Sequence, residues 1–220
     1  MISIVTINLN NKEGLKRTME SVINQTRFDI INYIVIDGGS TDGSKEVIEQ
    51  YSDKLYYWVS EKDDGIYNAM NKGVDALPNE GYCLFLNSGD FLSSLIIIDK
   101  VIPYLHDADI IYGNEYKIKR NGNRYEAKYQ DKIDDKFFKM TALPHQSTFI
   151  DCKLMKENKY SEEYKLLGDW KFFREMIVEK KVPYKHIPFP ISVYGLDGIS
   201  SLNMSQHNKE KEEYYRMKRI

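Results

Sequence analysis

The chain has 220 residues, of which 42% are hydrophobic and 29% charged, so it is long enough to bury the core of one large domain. Its 31 Lys and Arg nearly balance its 33 Asp and Glu; the net charge of -2 argues against nucleic acid as a partner, which would favour a basic surplus. The two cysteines, Cys83 and Cys152, suggest neither a disulfide framework nor a zinc site.

In the first half, short β-branched runs alternate with helical patterns. Strands are predicted at ISIVTIN, INYIVID, KLYYWVS and YCLFLN. Helices are predicted at KEGLKRTMESVINQ, SKEVIEQY, GIYNAMNKGVDAL and SLIIIDKVIPYL. Strands separated by helices imply parallel pairing, so we expect an α/β fold with a doubly wound, Rossmann-like, mostly parallel sheet.

After Asp109 the pattern becomes mixed. Two strand-like runs flank RNGN, a hairpin signal because Asn-Gly supplies positive φ. KIDDKFFKM predicts a short helix, HQSTFI a strand, GDWKFFREMIVEK a helix and YKHIPFPISVYG an extended segment. We therefore predict one domain over residues 1–202, with halves at 1–113 and 114–202, and a helical tail over residues 203–220.

Polar residues follow four of the predicted strands, where α/β sheets bind ligands beyond the carboxyl ends of their strands. One aspartate at such an end is usually a helix cap or turn former, but four polar ends on one edge indicate a site. Gly38 and Gly39 let a ligand approach bare backbone. The four ends are Thr6 to Asn8, Asp37, Asp63 with Asp64, and Asn87 with Asp90.

The motifs resemble those of a known family. The chain resembles the inverting, nucleotide-sugar-dependent glycosyltransferases of family 2, whose fold is called GT-A. The motifs that carry this resemblance are, in chain order, SIVTINLN, YIVIDGGSTDGS, SEKDDGIYNAMNKG, FLNSGD, PHQSTFI, LLGDWKFF and YGLDGISS. The resemblance extends to about Leu202. It implies a hexosyltransferase-type enzyme that moves a sugar from a UDP-linked donor to a glycan or lipid-linked acceptor in bacterial surface polysaccharide synthesis.

The resemblance also implies a donor site. Asp37 would accept a hydrogen bond from the nucleobase, and Asp64 would lie near the ribose or base. Lys72 would lie near the diphosphate or sugar, although a solvated helical lysine is an equal reading. The other residues implied in binding the nucleotide sugar are Thr6, Ile7, Asn8, Gly38, Asn71, Asn87, Ser88 and Gly89.

FLNSGD occupies the place of the family's D-x-D motif, which holds a divalent metal on the diphosphate. Asn87 replaces the first acid, so Asp90 remains as the anionic ligand for Mn²⁺ or Mg²⁺. Asp197 is a candidate supplement to this weakened metal site. It belongs to residues 195–201, whose glycines and small side chains suggest a loop that closes over the diphosphate.

Asp169 matches the family's general base, which would take the proton of the acceptor hydroxyl opposite the departing diphosphate. The alternative role of Asp169 is to cap its helix, and the two roles are compatible. His145, Gln146 and Trp170 are implied in contacts with the acceptor or donor sugar. A lone histidine is more often structural, so both readings of His145 stay open.

Two other function classes compete with this interpretation. A sugar nucleotidyltransferase would want a glycine-rich, basic loop after the first strand, and NLNNKEG has one Gly and one Lys. A non-catalytic module that binds sugar nucleotides or glycans would explain the altered NSGD. The retained Asp169 weighs against that module.

The first residues carry no basic leader, and no apolar run approaches the roughly 20 residues that span a bilayer. We therefore expect a cytoplasmic protein, peripheral at the inner membrane face. The charged tail can contact an anionic membrane surface, pack on the domain or mediate homo-oligomer formation. Of these three, packing is favoured.

Overall fold

The computed structural model describes residues 1–119, 121–195 and 204–218. Within them a nine-stranded sheet separates two hydrophobic cores. The strands are β1 (Ile2–Asn8), β2 (Ile31–Asp37), β3 (Tyr57–Ser60), β4 (Tyr82–Phe85), β5 (Phe91–Leu92), β6 (Ile110–Ile118), β7 (Arg124–Ala127), β8 (Thr148–Asp151) and β9 (Tyr184–Gly195). The helices are α1 (Lys12–Ile23), α2 (Ser44–Gln50), α3 (Ile66–Asp75), α4 (Ile97–Val101), α5 (Asp135–Met140), α6 (Cys152–Glu157), α7 (Gly168–Arg174) and α8 (Met204–Lys218).

The strand order is β3-β2-β1-β4-β8-β6-β9-β5, with β7 paired to β6. The strands β3, β2, β1 and β4 are parallel, which confirms the predicted α/β fold of the first half. β8 lies antiparallel between β4 and β6. The predicted division between residues 113 and 114 falls inside β6, at a bulge opposite β9, so both halves contribute to one sheet.

Burial on both faces explains why the strands of the first half read as continuous apolar runs. Every residue of β1 is buried, and its side chains alternate between the two cores. Ile4 packs with Leu15 of α1 in one core. Val5 packs with Met70 of α3 and Phe173 of α7 in the other.

Side-chain caps set the start of several helices. Asn11, Asp134 and Asp151 each accept a hydrogen bond from the backbone N–H three residues along, at 3.2, 2.9 and 2.9 Å. The cap at Asp151 begins α6, a helix that the sequence reading did not predict. Its six residues are too few to display a clear helical period.

Several predicted elements are shorter than expected. β3 begins at Tyr57, because Ser52–Lys54 form a 3₁₀ turn. Helix α4 ends at Val101 in another 3₁₀ turn that contains Pro103, which has no N–H to continue the helix.

Beyond α7 the chain continues as a π-helical segment, Glu175–Glu179. The strand β5 was not predicted, since two residues carry no pattern.

The C-terminal helix α8 packs on the domain, as favoured from the sequence. Tyr214 is 1% exposed, and its ring lies 5.2 Å from that of Trp170. Its hydroxyl accepts a hydrogen bond from the buried Arg174, which also pairs with Asp135 and Glu179. The predicted boundary at residue 202 lies outside the described residues. Among those described, no helix has the length and apolar character to cross a membrane.

Replacement of Tyr214 by Ala tests whether α8 is part of the folding unit. The variant loses a buried aromatic ring and one partner of Arg174, so we expect it to lower the free energy of unfolding by about 3–5 kcal/mol. Urea unfolding measures this loss. Met217→Ala is the control: this side chain is 69% exposed on the same helix and should change stability by less than about 0.5 kcal/mol. Equal effects of the two variants would contradict the packing role.

Candidate active site

The carboxyl ends of β1, β2 and β3 meet at the side chain of Asp37. Its oxygens accept hydrogen bonds from Asn8 Nδ2 at 2.8 Å, Ser60 Oγ at 2.6 Å, and the backbone N–H and hydroxyl of Ser40 at 3.0 and 2.5 Å. Burial favours the neutral acid, but these bonds outweigh it and lower the pKa of Asp37. Asp37 is completely buried, so a nucleobase would have to take over one of these bonds.

A neighbouring carboxylate lies close to Gly38. A Cβ atom at this position would lie 2.3 Å from Oδ2 of Asp63, so the Asp63 side chain would have to move if Gly38 carried a side chain. Asp64, the residue favoured from the sequence, is exposed, and its backbone N–H donates to Asn68 Oδ1 at 3.2 Å. Asp63 is thus the carboxylate that lies against the Gly38 backbone. The choice between two adjacent acids could not be made from the motif alone.

Three side chains predicted to contact ligand face protein instead. The Thr6 hydroxyl is buried against Tyr33 OH at 3.0 Å, which leaves only backbone for a ligand. Asn71 is 7% exposed, and its amide hydrogen bonds to the backbone N–H and C=O of Tyr160. Trp170 is 1% exposed and donates from Nε1 to a backbone carbonyl of the segment following α5. The side chains of these three residues are thus held by protein contacts, and their roles in ligand binding stay predictions.

Ile7 and Lys72 also lie at this end of the sheet. Ile7 is 9% exposed and belongs to the core beneath the edge. Lys72 pairs with Glu61 at 2.7 Å and donates to the Lys62 carbonyl at 3.0 Å, which ties α3 to the loop after β3. The Lys72 side chain is 26% exposed, so it is a partnered lysine of the site rim rather than a fully solvated one.

The Asn-Ser-Gly-Asp loop after β4 is held by α1. Asn11 Nδ2 donates to the Ser88 carbonyl at 3.1 Å, and Arg17 donates to the Gly89 carbonyl at 2.9 Å. Gly89 has φ of 105°, a conformation that favours glycine. The sequence reading missed both Asn11 and Arg17. Their side chains reach this loop because α1 packs on the sheet. This is a tertiary contact that no local sequence motif indicates.

The described residues do not by themselves fit a divalent metal. They contain no group of three or more His, Cys, Asp or Glu side chains arranged to hold an ion. Asp90 is 7% exposed, and burial raises its pKa to about 7. The second predicted ligand, Asp197, lies outside the described residues. A metal at this loop would need further oxygen ligands, such as those of a diphosphate.

Asp169 lies at the first turn of α7 in a network of hydrogen bonds. Its Oδ1 accepts from Tyr67 OH at 2.9 Å and from the Trp170 backbone N–H at 2.8 Å. Its Oδ2 lies 2.9 Å from His145 Nδ1. His145 Nε2 in turn lies 3.2 Å from Asn87 Nδ2. The structure thus joins Asp169, His145 and the loop after β4, three segments that the sequence reading treated separately.

The charges of this network are mutually adjusted. Burial favours neutral Asp169, but the bonds from His145, Tyr67 and the Trp170 N–H outweigh it and lower the pKa of Asp169. Burial also opposes the charge of His145, yet the bond to Asp169 and the nearby carboxylates raise the pKa of His145. One of these carboxylates, Glu115, is 1% exposed and accepts a hydrogen bond from Gln146.

Comparison with other proteins gives a consistent result. The family model described as Glycosyl transferase family 2 matches residues 3–178. A PGL/p-HBAD biosynthesis glycosyltransferase of Mycobacterium bovis is 29% identical over 180 residues, which cover 78% of this chain and 68% of that protein. An uncharacterized glycosyltransferase of Mycobacterium tuberculosis is 36% identical over 104 residues. These residues cover 47% of this chain and 39% of the length of that protein.

Two solved structures share the fold. TarS of S. aureus, in a complex with UDP-GlcNAc, has a TM-score of 0.69 at 16% identity and covers 88% of this chain. The mannosyltransferase PcManGT of Pyrobaculum calidifontis, in a complex with GDP-Man and Mn²⁺, has a TM-score of 0.71 at 11% identity and covers 96%. This chain spans 58% and 64% of the two solved chains, respectively.

The buried Asp90 carboxyl predicts a pH-dependent stability. The pKa of Asp90 is about 7 in the folded protein and lower in the unfolded chain. The protonated carboxyl therefore makes its full contribution to the free energy of unfolding below about pH 4, and this contribution is lost as the pH rises towards 7. Asp90→Asn removes this loss and should stabilise the protein by up to about 4 kcal/mol near pH 8, with little effect near pH 4. Urea unfolding without nucleotide measures both values. Asp75→Asn, at an exposed aspartate, is the control, and a pH-independent gain in Asp90→Asn would contradict the assignment.

Proposed function

The chain belongs to glycosyltransferase family 2, and from this premise we propose that it is an inverting enzyme that uses a nucleotide sugar, with a UDP-sugar as the donor. The acceptor would be a glycan or lipid-linked oligosaccharide in surface polysaccharide synthesis. The complex of TarS with UDP-GlcNAc and the biosynthetic name of the mycobacterial relative support this assignment. Together they favour sugar transfer over nucleotidyl transfer or simple sugar binding.

The observation that carries the proposal is the network of Asp169. Its carboxylate is ionised, 19% exposed and fixed by three donors at the edge of the sheet where ligands of α/β proteins bind. Inverting transfer requires removal of the acceptor proton as the hydroxyl attacks the anomeric carbon. We assign the general base to Asp169, whose Oδ2 lies 2.9 Å from His145 Nδ1, and place the leaving diphosphate near the loop of Asn87 to Asp90.

On the donor side, the site would be built from the ends of the first three strands. Asp37 is proposed to bind the nucleobase, next to Gly38 and the Asp63 carboxylate that lies against it. Lys72, which already neutralises Glu61, is placed near the diphosphate or sugar. No catalytic step is assigned to a metal, because the described ligands do not suffice for one.

For the acceptor, a groove of about 570 Å³ lies between β7 and α5. Its lining includes Lys117, Lys128 and Lys136, against Asp134, and the exposed Met140. A groove that combines cationic and apolar side chains suits an anionic, lipid-linked acceptor. Work at the cytoplasmic face of a membrane is part of the proposal.

Replacement of Asp169 by Asn tests the catalytic assignment. Asn retains an oxygen for the Trp170 N–H and for Tyr67, so the melting temperature should change little. Transfer should fall by about 10²- to 10⁴-fold, the usual contribution of a general base. The measurements are the sugar-transfer rate, the donor affinity and the melting temperature. Asp75→Asn is the matched control. Near-normal turnover in Asp169→Asn would remove Asp169 from catalysis.

The nucleotide is tested by calorimetry. If Asp37 binds the base, UDP should bind more tightly than GDP or ADP, and Asp37→Ala should weaken UDP binding by about 1.5–3 kcal/mol. Each titration is run with and without Mn²⁺. Ser60→Ala is the control, because it removes a partner of Asp37 but keeps the carboxylate. Unchanged UDP affinity in a folded Asp37→Ala protein would exclude Asp37 from the donor site.

A further inference from the structure

The segment of residues 117–140, which contains β7 and α5, carries a positive charge that the rest of the chain does not share. It has eight Lys and Arg against four Asp and Glu, whereas the remaining residues have 23 against 29. A protein with a net charge of -2 thus concentrates a surplus of positive charge on one segment. A local surplus of this kind favours an anionic partner.

The acids and the bases of this segment are placed differently. Each of its four carboxylates has a hydrogen-bond partner within the protein. The pairs are Glu126 with Asn114 at 2.7 Å, Asp131 with His186 at 2.7 Å, Asp134 with the Phe137 N–H at 2.9 Å and Asp135 with Arg174 at 2.8 Å. Lys128, Lys132 and Lys136 are exposed and form no ion pair with any residue that the structure describes. The carboxylates are therefore tied to the protein, while these ammonium groups are left to solvent.

Exposed apolar side chains lie among these lysines. Met140 is 77% exposed and lines the groove of about 570 Å³ together with Lys128 and Lys136. Tyr125 is 42% exposed and pairs across the hairpin with Lys117, which also lines the groove, so both lie on the same face of the sheet. Ammonium groups beside exposed Met and Tyr side chains suit the boundary between lipid headgroups and acyl chains. A nucleic acid would use the cations but not Met140.

The groove borders the helix that carries the proposed general base. Thr141 lines the groove, and its carbonyl accepts a hydrogen bond from Trp170 Nε1 at 3.2 Å. Trp170 directly follows Asp169 in α7. Tyr129, another lining residue, donates from its hydroxyl to the buried Glu115 at 2.7 Å. A surface that docks beside this groove would therefore bring its partner close to the site of transfer.

We propose that the face around this groove, formed by Tyr125, Lys128, Lys136 and Met140 and called here the basic face, docks on an anionic phospholipid bilayer. The ammonium groups contact lipid phosphates, and the Met and Tyr side chains enter the headgroup region. Docking turns the groove towards the bilayer, from which a lipid-linked acceptor can enter. This inference rests on the proposed function, because that function supplies the acceptor.

The C-terminal helix α8, which the sequence offered as a membrane contact, is less suited to this role. Tyr214 of that helix is buried against Trp170, and Glu210 accepts hydrogen bonds from the backbone N–H groups of Lys165 and Leu166. These contacts commit one side of α8 to the domain. The basic face has no such commitment, since its lysines and Met140 are exposed.

The first test is sedimentation of the wild-type protein with vesicles, in the absence of donor and acceptor. Vesicles of phosphatidylcholine with about 30% phosphatidylglycerol should bind the protein at least about tenfold more tightly than vesicles of phosphatidylcholine alone. An increase of salt from about 0.1 M to about 0.5 M should weaken this binding, because salt screens the charges. The absence of binding to the anionic vesicles, or equal binding to both kinds, overturns the proposal.

The second test reverses charges on the basic face. Lys128→Glu combined with Lys136→Glu should weaken binding to the anionic vesicles by at least about 25-fold, since each lysine near such a surface contributes about fivefold. Lys45→Glu combined with Lys54→Glu is the matched control. These two lysines are 53% and 49% exposed near the core on the opposite side of the sheet, and their reversal changes the net charge equally. An equal loss in both double variants overturns the proposal.

The third test concerns the apolar contact. Met140→Ser should weaken binding to the anionic vesicles by about fourfold or more, the contribution of one buried CH₂ group. Leu95→Ser, at a side chain that is 58% exposed between β5 and α4, is the control and should not change binding. Unchanged binding in Met140→Ser overturns the proposal. Polyuridylate is titrated in parallel, and tighter binding of this RNA than of the vesicles would identify nucleic acid as the partner and also overturn it.

Melting temperatures show whether each variant is folded. If a double variant does not fold, the single lysine variants replace it, each with an expected loss of about fivefold. The failure of the inference is distinct from that of the proposed function. A protein that transfers sugar but does not bind anionic vesicles refutes only the basic face, whereas one that transfers no sugar from any nucleotide sugar refutes the proposed function itself.

Discussion

The bond between His145 Nδ1 and Asp169 Oδ2 joins two segments, before β8 and at the start of α7, that also pack on one hydrophobic core. His145 precedes β8, and Asp169 begins α7 beside the second core. Asn87, on the far side of the ring, follows β4. Because β8 pairs with β4, the insertion of one antiparallel strand brings all three segments to the same end of the sheet. The fold of the second half thus places the His145 ring between Asp169 and the loop after β4.

The surrounding structure keeps this pair rigid. Trp170 follows Asp169 and is locked in the core by Phe138, by the carbonyls around α5 and by Tyr214 of α8. Arg174, one turn further, is paired with Asp135, Glu179 and Tyr214. Trp170 thus anchors the helix that presents Asp169. Rigid support of this kind limits the reorientation that a catalytic group must undergo.

Much of the architecture could be predicted from the sequence because it depends on local patterns. The apolar runs of β1 and β2 and the helical period of α1 and α3 are local signals, as is the Asn-Gly turn between β6 and β7. The partners of a side chain are not local. Asn71 and Thr6 have the residue types of a binding site, yet tertiary contacts turn both into the protein. Tyr67 and Glu115 approach the site only through packing, so no motif identified them.

Charge balance gives a physical reason for the altered loop at residues 87–90. Asp169, Asp90 and Glu115 already surround His145, and Asp90 is buried. A fourth carboxylate at position 87 would add repulsion among the acids unless a cation entered, and it would also hold His145 charged. An amide avoids both effects while still filling the space and contacting Nε2. The same substitution that removes a carboxylate from a metal site therefore also reduces repulsion among the acids around His145.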